Sequence, residues 1–413
     1  MTDKTRNYEN KLEELLEFFP VVIILGARQC GKTTLAKKMR PNWRYFDLEK
    51  SRDFNLITED IDFFFREHSH SLVIDEAQRY PNLFQELRGV IDGDRHQKNR
   101  FILTGSSSLE LIKNVSETLA GRVGIIELGT FKTNEYFDFE LPDFYQIFEQ
   151  KITEETKETL KQLETSITYE NLINSFLSGG YPEPILANND RILQTWMENY
   201  FDTYVQRDIR ILFPRLNLIK YQRFIAMLAA LNGTIINRSQ VARSLDVTEK
   251  SVRDYLDIAA GSYVWQNIRS YEKSVSKSII KMPKGHFRDS GLAHYIQGIR
   301  NREGLFNYPS VGNAFEAFVI EEIIKGVQVI RSPKIAFYYY RTRNGAEIDL
   351  ILEGDFGTLP IEIKWGSTVK QRQLLSLKAF IKTYQLPLGI VVNNADCIEM
   401  IADKIIQIPA RFL

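Results

Sequence analysis

Residues 21–34 read Val-Val-Ile-Ile-Leu-Gly-Ala-Arg-Gln-Cys-Gly-Lys-Thr-Thr. Five aliphatic residues run into a loop of the form G-x-x-x-x-G-K-[ST], and Thr-Thr-Leu-Ala-Lys-Lys-Met (33–39) then reads as a helix. Strand, glycine loop and helix in that order make a polyphosphate cradle. Backbone N–H groups must curl around the phosphates at close range, where a Cβ would clash. The expected ATP-holding residues are Gly26, Ala27, Arg28, Gln29, Cys30, Gly31, Lys32, Thr33 and Thr34. Lys32 would reach the β- and γ-phosphates and the Thr33 hydroxyl would hold Mg2+.

Outward from that loop, residues 20–130 alternate short aliphatic strands with helices: WRYFDLE at 43–49, HSLVIDEA at 70–77, RFILTGSS at 100–107 and GRVGIIEL at 121–128. Strands that are apolar throughout belong in a parallel sheet covered on both faces, so the fold class is α/β. The strand Leu72-Val73-Ile74 ends in Asp75 and Glu76. Asp75 suits the Mg2+ shell through water, and Glu76 suits orienting and deprotonating the attacking water. Thr104 and Ser106 stand at the next strand end, where a hydroxyl can sense the γ-phosphate or fix that water. Arg122 precedes the following strand and would neutralise developing charge on its own nucleotide or on a neighbour's, the second case requiring a homo-oligomer. The plainer reading of Arg122 is a surface ion pair.

The whole chain has 413 residues, 44% hydrophobic and 26% charged, which excludes a disordered or collagen-like protein. Lys+Arg and Asp+Glu are both 53, so any nucleic-acid surface must be a local patch. Two cysteines, Cys30 and Cys397, make neither a disulfide framework nor a Cys-rich zinc site. The Glu-studded N-terminus reads as an amphipathic helix, no run reaches 18 apolar residues, and the expected location is cytoplasmic, with no membrane partner.

Four blocks are expected: an ATPase core at 1–130, a helical lid or connector at 131–216, a winged helix-turn-helix at 217–289, and an α/β domain at 290–413. The connector opens with 10 acidic against 4 basic side chains over 131–170, whereas 217–289 has 12 basic against 6 acidic, which points to phosphate contacts. In the third block Ser239 would cap a helix with Val241, Ala242 and Leu245 on its apolar side, and Asp246-Val247 would turn the chain. Thr248 would cap a second helix with Val252, Tyr255 and Leu256 inward and Lys250, Ser251 and Arg253 outward. Lys273, Lys277, Lys281 and Lys284 would make a basic wing. Winged helices also serve as protein-packing modules. His286 and His294 lack ligand spacing and read as structural.

In the last block, strands at 337–341 and 346–352 flank the Asn344-Gly345 turn, a hairpin signal. Asp349 lies on the second strand, Glu362 and Lys364 on a third, and Glu316 on an upstream helix. Carboxylates at strand ends beside a lysine can bind Mg2+ and polarise a scissile phosphate, so Glu316, Asp349 and Glu362 are candidate metal ligands, and Asp349, Glu362 and Lys364 candidate catalytic residues. The bland alternative is an ion pair between Glu362 and Lys364.

The P-loop, Ile74-Asp75-Glu76-Ala77-Gln78, Leu103-Thr104-Gly105-Ser106-Ser107 and Leu119-Ala120-Gly121-Arg122 together resemble AAA+ ATPases, and within them the prokaryotic AAA_14 subgroup. Gly179-Gly180-Tyr181-Pro182-Glu183-Pro184, the helix 196–204, Arg207-Asp208 and Phe287-Arg288-Asp289-Ser290-Gly291-Leu292 are similar to the segment joining that ATPase to a C-terminal DUF4143 domain. The Asp349, Glu362-x-Lys364 pattern resembles the PD-(D/E)xK nuclease core, with Ile348 where the nominal motif has Pro. The resemblance implies a P-loop ATPase fold and ATP binding, and supplies no cellular role. The expected function is a Mg2+-dependent ATPase acting on DNA through 217–289 and the C-terminal domain. The alternative is a nucleotide-controlled switch or scaffold in a protein assembly without nuclease activity.

Overall fold

All five aliphatic stretches between 20 and 130 form strands in the computed structural model, which describes residues 4–106, 118–272, 282–331, 335–342 and 345–413, with backbone alone at 206–208 and 211. Ser107, Ser108, Lys273, Lys277, Lys281, Asn344 and the side chains of Arg207 and Asp208 lie outside the described residues. The chain divides into two compact units, one of residues 5–130 with 261–264, the other of 1–4, 131–260 and 265–413. Segments 131–216, 217–289 and 290–413 thus fall, but for residues 261–264, in the second unit.

In the first unit β1 (Val21–Leu25), β2 (Arg44–Asp47), β3 (Leu72–Asp75), β4 (Phe101–Gly105) and β5 (Val123–Glu127) form a parallel sheet in the order β2-β3-β4-β1-β5. Every residue of β1, β3 and β4 is buried, as expected of central parallel strands with both faces covered. Because β3, β4 and β1 are neighbours and run the same way, their carboxyl ends open at one edge. That edge brings together the glycine loop, Asp75-Glu76 and Thr104-Ser106, the place where open α/β sheets bind ligands.

The second unit is built on a nine-stranded sheet. Its strands are β6 (Thr234–Ile235), β7 (Trp265–Ser270), β8 (Lys284–Phe287), β9 (Ala336–Arg341), β10 (Glu347–Gly354), β11 (Gly357–Ile363), β12 (Gly389–Asn393), β13 (Glu399–Ala402) and β14 (Ile405–Pro409). The order is β13-β14-β12-β11-β10-β9-β7-β8-β6. The β9–β10 and β10–β11 pairs are antiparallel, β11-β12-β14 run parallel, and the parallel β7–β9 pair joins the strands of the basic block to those of the C-terminal block.

Two helices explain the burial of this sheet. The helix Val311–Val327 lays Phe315, Val319 and Ile323 against Leu350, Leu352, Leu359, Ile361 and Ile390. The helix Leu375–Tyr384 lays Leu377, Phe380 and Ile381 against Ile348, Ile351, Val391 and Ile405. Strict alternation would put Ile348 and Ile351 on opposite faces. They share a cluster because the β9–β10 register shifts between them, and a bulge at this point re-aims the side chains it encloses, Asp349 among them.

Two consecutive helices, Arg238–Leu245 and Glu249–Gly261, lie in this segment, with Asp246 left-handed at φ 50° between them. Val252, Tyr255 and Leu256 are buried, and Lys250 and Arg253 exposed. Thr248 Oγ accepts the Ser251 N–H at 3.1 Å. The first cap differs from expectation: Asn237, not Ser239, accepts the Gln240 N–H at 3.2 Å, and Ser239 donates to Asn237 at 2.8 Å. An amide two residues earlier reaches the free N–H groups, and the helix starts two residues sooner. Lys284 also departs from expectation, because it is 2% exposed and no part of a basic surface. No helix among the described residues is long and apolar enough to cross a membrane.

Candidate functional site

The glycine loop owes its shape to two residues. Gly26 has φ 154°, and a Cβ there would lie 2.1 Å from the Leu128 carbonyl oxygen; Gly31, at φ 99°, enters the helix Lys32–Met39 from a left-handed conformation. The Lys32 ammonium, 5% exposed, folds back onto the Gly26 and Ala27 carbonyls at 3.0 and 2.8 Å. Cys30 points its thiol at the Leu128 carbonyl, 3.3 Å away, so its contribution to a phosphate site is backbone only. Arg28 pairs with Glu49 at 3.0 Å.

Arg6, which the sequence did not single out, braces the loop. Its guanidinium donates to the Cys30 carbonyl at 2.9 Å and the Gly129 carbonyl at 2.8 Å, with the residue 7% exposed. A lone arginine before a helix carries no motif, so nothing marked it in advance.

Hydroxyls surround Asp75. Thr33 donates to it at 2.7 Å, Tyr45 at 2.6 Å, and Thr104 on its other oxygen. Burial first, then the hydrogen bond to Asp75, push the Tyr45 phenol well above its ordinary range, so it stays a donor. The Lys37 ammonium sits 3.6 Å over the Tyr45 ring. In the sequence Tyr45 stands only as part of a strand; its role follows from the β2–β3 pairing, which sets Asp47 beside Asp75.

Glu76 is left-handed at φ 54°, a conformation a non-glycine residue adopts at a cost of about 1–3 kcal/mol and keeps where its surroundings enforce it. Its N–H donates to Thr104 Oγ at 3.2 Å, and its carboxylate accepts from Ser106 at 2.9 Å and from the Gln78 amide. Gln78, a second residue not assigned a role, also donates to Ser106 at 3.2 Å. The structure thus brings Lys32, Thr33, Asp75, Glu76, Thr104 and Ser106 to one edge. Arg122 is committed elsewhere: Nε and Nη2 hold Asp92 at 2.9 and 3.0 Å, and this partner lowers the Asp92 carboxyl below its usual range.

The donor set fits Mg-nucleotide: a buried ammonium with only carbonyl partners, a glycine loop a Cβ would fill, and a hydroxyl–carboxylate pair at the ion's place.

In the second unit Glu316, Asp349, Glu362 and Lys364 do gather, at 9, 6 and 6% exposure for the three carboxylates. Lys364 Nζ lies 2.5 Å from Glu362 and 3.5 Å from Asp349, and the Ile363 N–H donates to Asp349 at 2.8 Å. Two further residues belong to the cluster. Lys284 on β8 pairs with Glu316, with Glu347 at 2.9 Å and with Asp349 at 3.6 Å. Burial, then the neighbouring Asp349 charge, raise Glu316 and Glu362 each to about 8. The carboxylates nearby raise Lys284 and Lys364 above the lysine range against the opposing effect of burial. The two ammoniums stand between the carboxylates, and among the described residues no three His, Cys, Asp or Glu side chains are grouped to hold a metal ion. As arranged, the cluster does not fit a divalent cation.

The two histidines are structural. His286 pairs with Glu321 at 3.0 Å, alongside Arg288, and buried His294 is pushed down to about 4 by loss of hydration.

Fold and first-unit site together define a P-loop ATPase of the AAA type. Family models specify the rest: residues 19–137 match the AAA domain AAA_14, 169–303 a domain of unknown function, DUF8612, and 311–413 another, DUF4143. Along the chain the matches run in the order AAA_14, DUF8612, DUF4143. An uncharacterized protein of Mycobacterium tuberculosis is 29% identical over 413 residues, covering 99% of this chain and 84% of its own. An uncharacterized protein of Methanocaldococcus jannaschii is 22% identical over 403 residues, covering 92% and 84%. Among solved structures, a Walker-type ATPase of Pyrococcus abyssi aligns with TM-score 0.44 and 15% identity over 71% of this chain and 95% of its own.

Proposed function

We propose that the protein hydrolyses ATP in its first unit and uses the cycle to bind and remodel DNA through its second. The observation that carries the hydrolytic half is the coupled pair at the end of β3. Asp75 is oriented by Thr33, Tyr45 and Thr104, and Glu76 is held by Ser106 and Gln78. Lys32 would exchange the Gly26 and Ala27 carbonyls for phosphate oxygens, and the loop N–H groups would orient the chain of phosphates. Bound Mg2+ would supply charge neutralisation at the β- and γ-oxygens. Glu76 would take the proton of the attacking water, with the Ser106 hydroxyl fixing its carboxylate in place.

Support for the DNA half is the capped helix Glu249–Gly261, which exposes Lys250 and Arg253, and the lysines at 273, 277 and 281. A second reading, a nucleotide-controlled switch acting on a protein partner, is favoured by a specific observation. The same helix exposes Glu249, Asp254 and Asp257 beside its two cations, and Lys284 and Arg288 are buried in ion pairs. The lysine-filled acidic cluster directs the proposal to binding and remodelling, with no cleavage step assigned.

Duplex binding measured by fluorescence anisotropy across a salt series tests the DNA half. Lys250→Glu with Arg253→Glu should weaken binding and flatten the salt slope by about 2, since each phosphate contact contributes roughly one unit. An unchanged slope, or no binding by the parent protein, favours the protein switch.

A further inference from the structure

The carboxyl ends of the three parallel strands β11, β12 and β14 open onto a cavity of about 590 Å3, within the size range of small-molecule sites. Its walls are aromatic. Trp365 comes from the end of β11, Phe306 from the helix Arg302–Phe306, and Tyr169 from the helix Tyr169–Ser178. Phe306 and Tyr169 are 46 and 44% exposed, large rings left open to the cavity mouth. The Phe306 and Trp365 centroids are 5.7 Å apart and tilted by 56°, so the two rings form a corner, not a closed stack. Trp365 is held from behind by Phe315 at 5.0 Å and Phe176 at 5.9 Å, which fixes the wall in place.

The rim is polar, and beneath it two atoms of its residues lack partners. Asn394, just past β12, donates Nδ2 to the Trp365 carbonyl at 2.7 Å, while its Oδ1 is buried with no hydrogen-bond partner among the described residues. Arg411, just past β14, donates Nη2 to the Asp396 carbonyl at 2.7 Å, and its Nε is likewise buried and unpartnered. A buried acceptor and a buried donor left unsatisfied in a native fold require an explanation. Asp396 also lines the cavity, so one cation and one anion face it and the site does not select a bare anion.

We propose that this cavity binds a single unstacked nucleobase. Three aromatic walls suit a planar ring, because base–aromatic stacking is available to every base. The amide of Asn394 and the Arg411–Asp396 pair offer the donor and acceptor that a base edge carries and a simple hydrocarbon does not. The cavity begins one residue after Lys364, yet the proposal does not rest on ATP hydrolysis or on chemistry at the acidic cluster. A free nucleoside and an unpaired position in a strand offer the same base chemistry.

Photocrosslinking of the full-length protein with 5-iododeoxyuridine, supplied as the free nucleoside or within a short single-stranded oligonucleotide, tests it. The halogenated base reacts with the ring it stacks on, and peptide mapping locates the product. The unphosphorylated nucleoside gives the phosphate loop of the first unit little to hold, and the Lys32→Ala background removes that loop from consideration. Adducts on Trp365, Phe306 or Tyr169 are expected. They should fall at least tenfold with Phe306→Ala, whose ring is half-exposed and whose loss spares the fold, and with Arg411→Met. Adducts with the nucleoside identify a mononucleotide site; adducts with the oligonucleotide alone identify a strand-reading site. No adduct on any of the three rings with either probe, in a protein whose circular dichroism is unchanged, overturns the proposal.

Discussion

Lys284 is a buried ammonium that serves a domain it does not precede by accident: β8 places it among Glu316, Glu347 and Asp349. Lys284→Met keeps the aliphatic stem and removes the charge. Taking one partner out of a buried ion pair costs about 3–5 kcal/mol, because the remaining charges are left desolvated. The size of the loss should depend on pH. Glu316 and Glu362 hold their protons up to about 8 when folded and only to their ordinary value near 4.5 when unfolded. The folded state therefore binds more protons across that window, and stability falls as pH rises from the unfolded value to the folded one. Without Lys284 the Glu316 carboxyl loses the cation that lowers it and shifts further up, so the fall continues beyond pH 8. At about pH 6 Glu316 is neutral and the variant leaves Glu347 and Asp349 without their lysine; at about pH 9 the parent's ionised Glu316 adds about 1.4 kcal/mol to the loss, one pH unit above its value of about 8. The whole loss of about 3–5 kcal/mol is a drop of roughly 6–20 °C in the melting temperature, of which about 3–6 °C is the part that depends on pH. Thermal unfolding followed by circular dichroism at both pH values measures it. A loss equal at the two pH values would refute the electrostatic reasoning and reassign Lys284 to packing.

Other outcomes follow from the first unit. Glu76→Gln should retain ATP binding and lower turnover by about 100- to 10,000-fold, the usual contribution of a positioned base; binding by fluorescent nucleotide and phosphate release by a coupled assay separate the two. Arg6→Met removes a charge-assisted bond to the loop at Cys30 and another to Gly129, each about 1.5–3 kcal/mol, and should weaken ATP binding by at least tenfold while Glu76 chemistry per bound nucleotide stays the same. Mixing Lys32→Ala with Arg122→Ala distinguishes the roles of Arg122: recovered turnover in the mixture means that it acts on a neighbour's nucleotide, no recovery with an inactive Arg122→Ala means that it acts on its own, and undiminished turnover by Arg122→Ala alone means that its Asp92 pair is its whole role.

The parallel sheet was legible because its central strands β1, β3 and β4 are buried throughout, and β3 and β4 end in residue types that the chemistry needs. Asp75, Glu76, Thr104 and Ser106 fell where strand ends fall. Tyr45, Gln78 and Arg6 were not legible, since each reaches the site by tertiary packing and none stands in a spaced pattern. The C-terminal carboxylates were found by strand spacing, but their company was not. Lys284 counted toward a basic surface because sequence charge carries no burial, and the sheet that joins β7 to β9 puts it inside. The bulge between Ile348 and Ile351 defeats the two-residue period from which a strand's facing is read. Ser239 lost the cap to Asn237 because both residue types cap well and only the backbone angle decides between them.

The central claim is that ATP turnover is tied to nucleic acid. Phosphate release by the purified protein, with and without duplex, single-stranded and branched DNA and with Lys32→Ala as the blank, measures it directly. The account predicts several-fold stimulation by at least one of these forms, absent in the blank. Turnover that is abolished in the blank yet identical with every DNA would contradict it and leave a protein-directed switch.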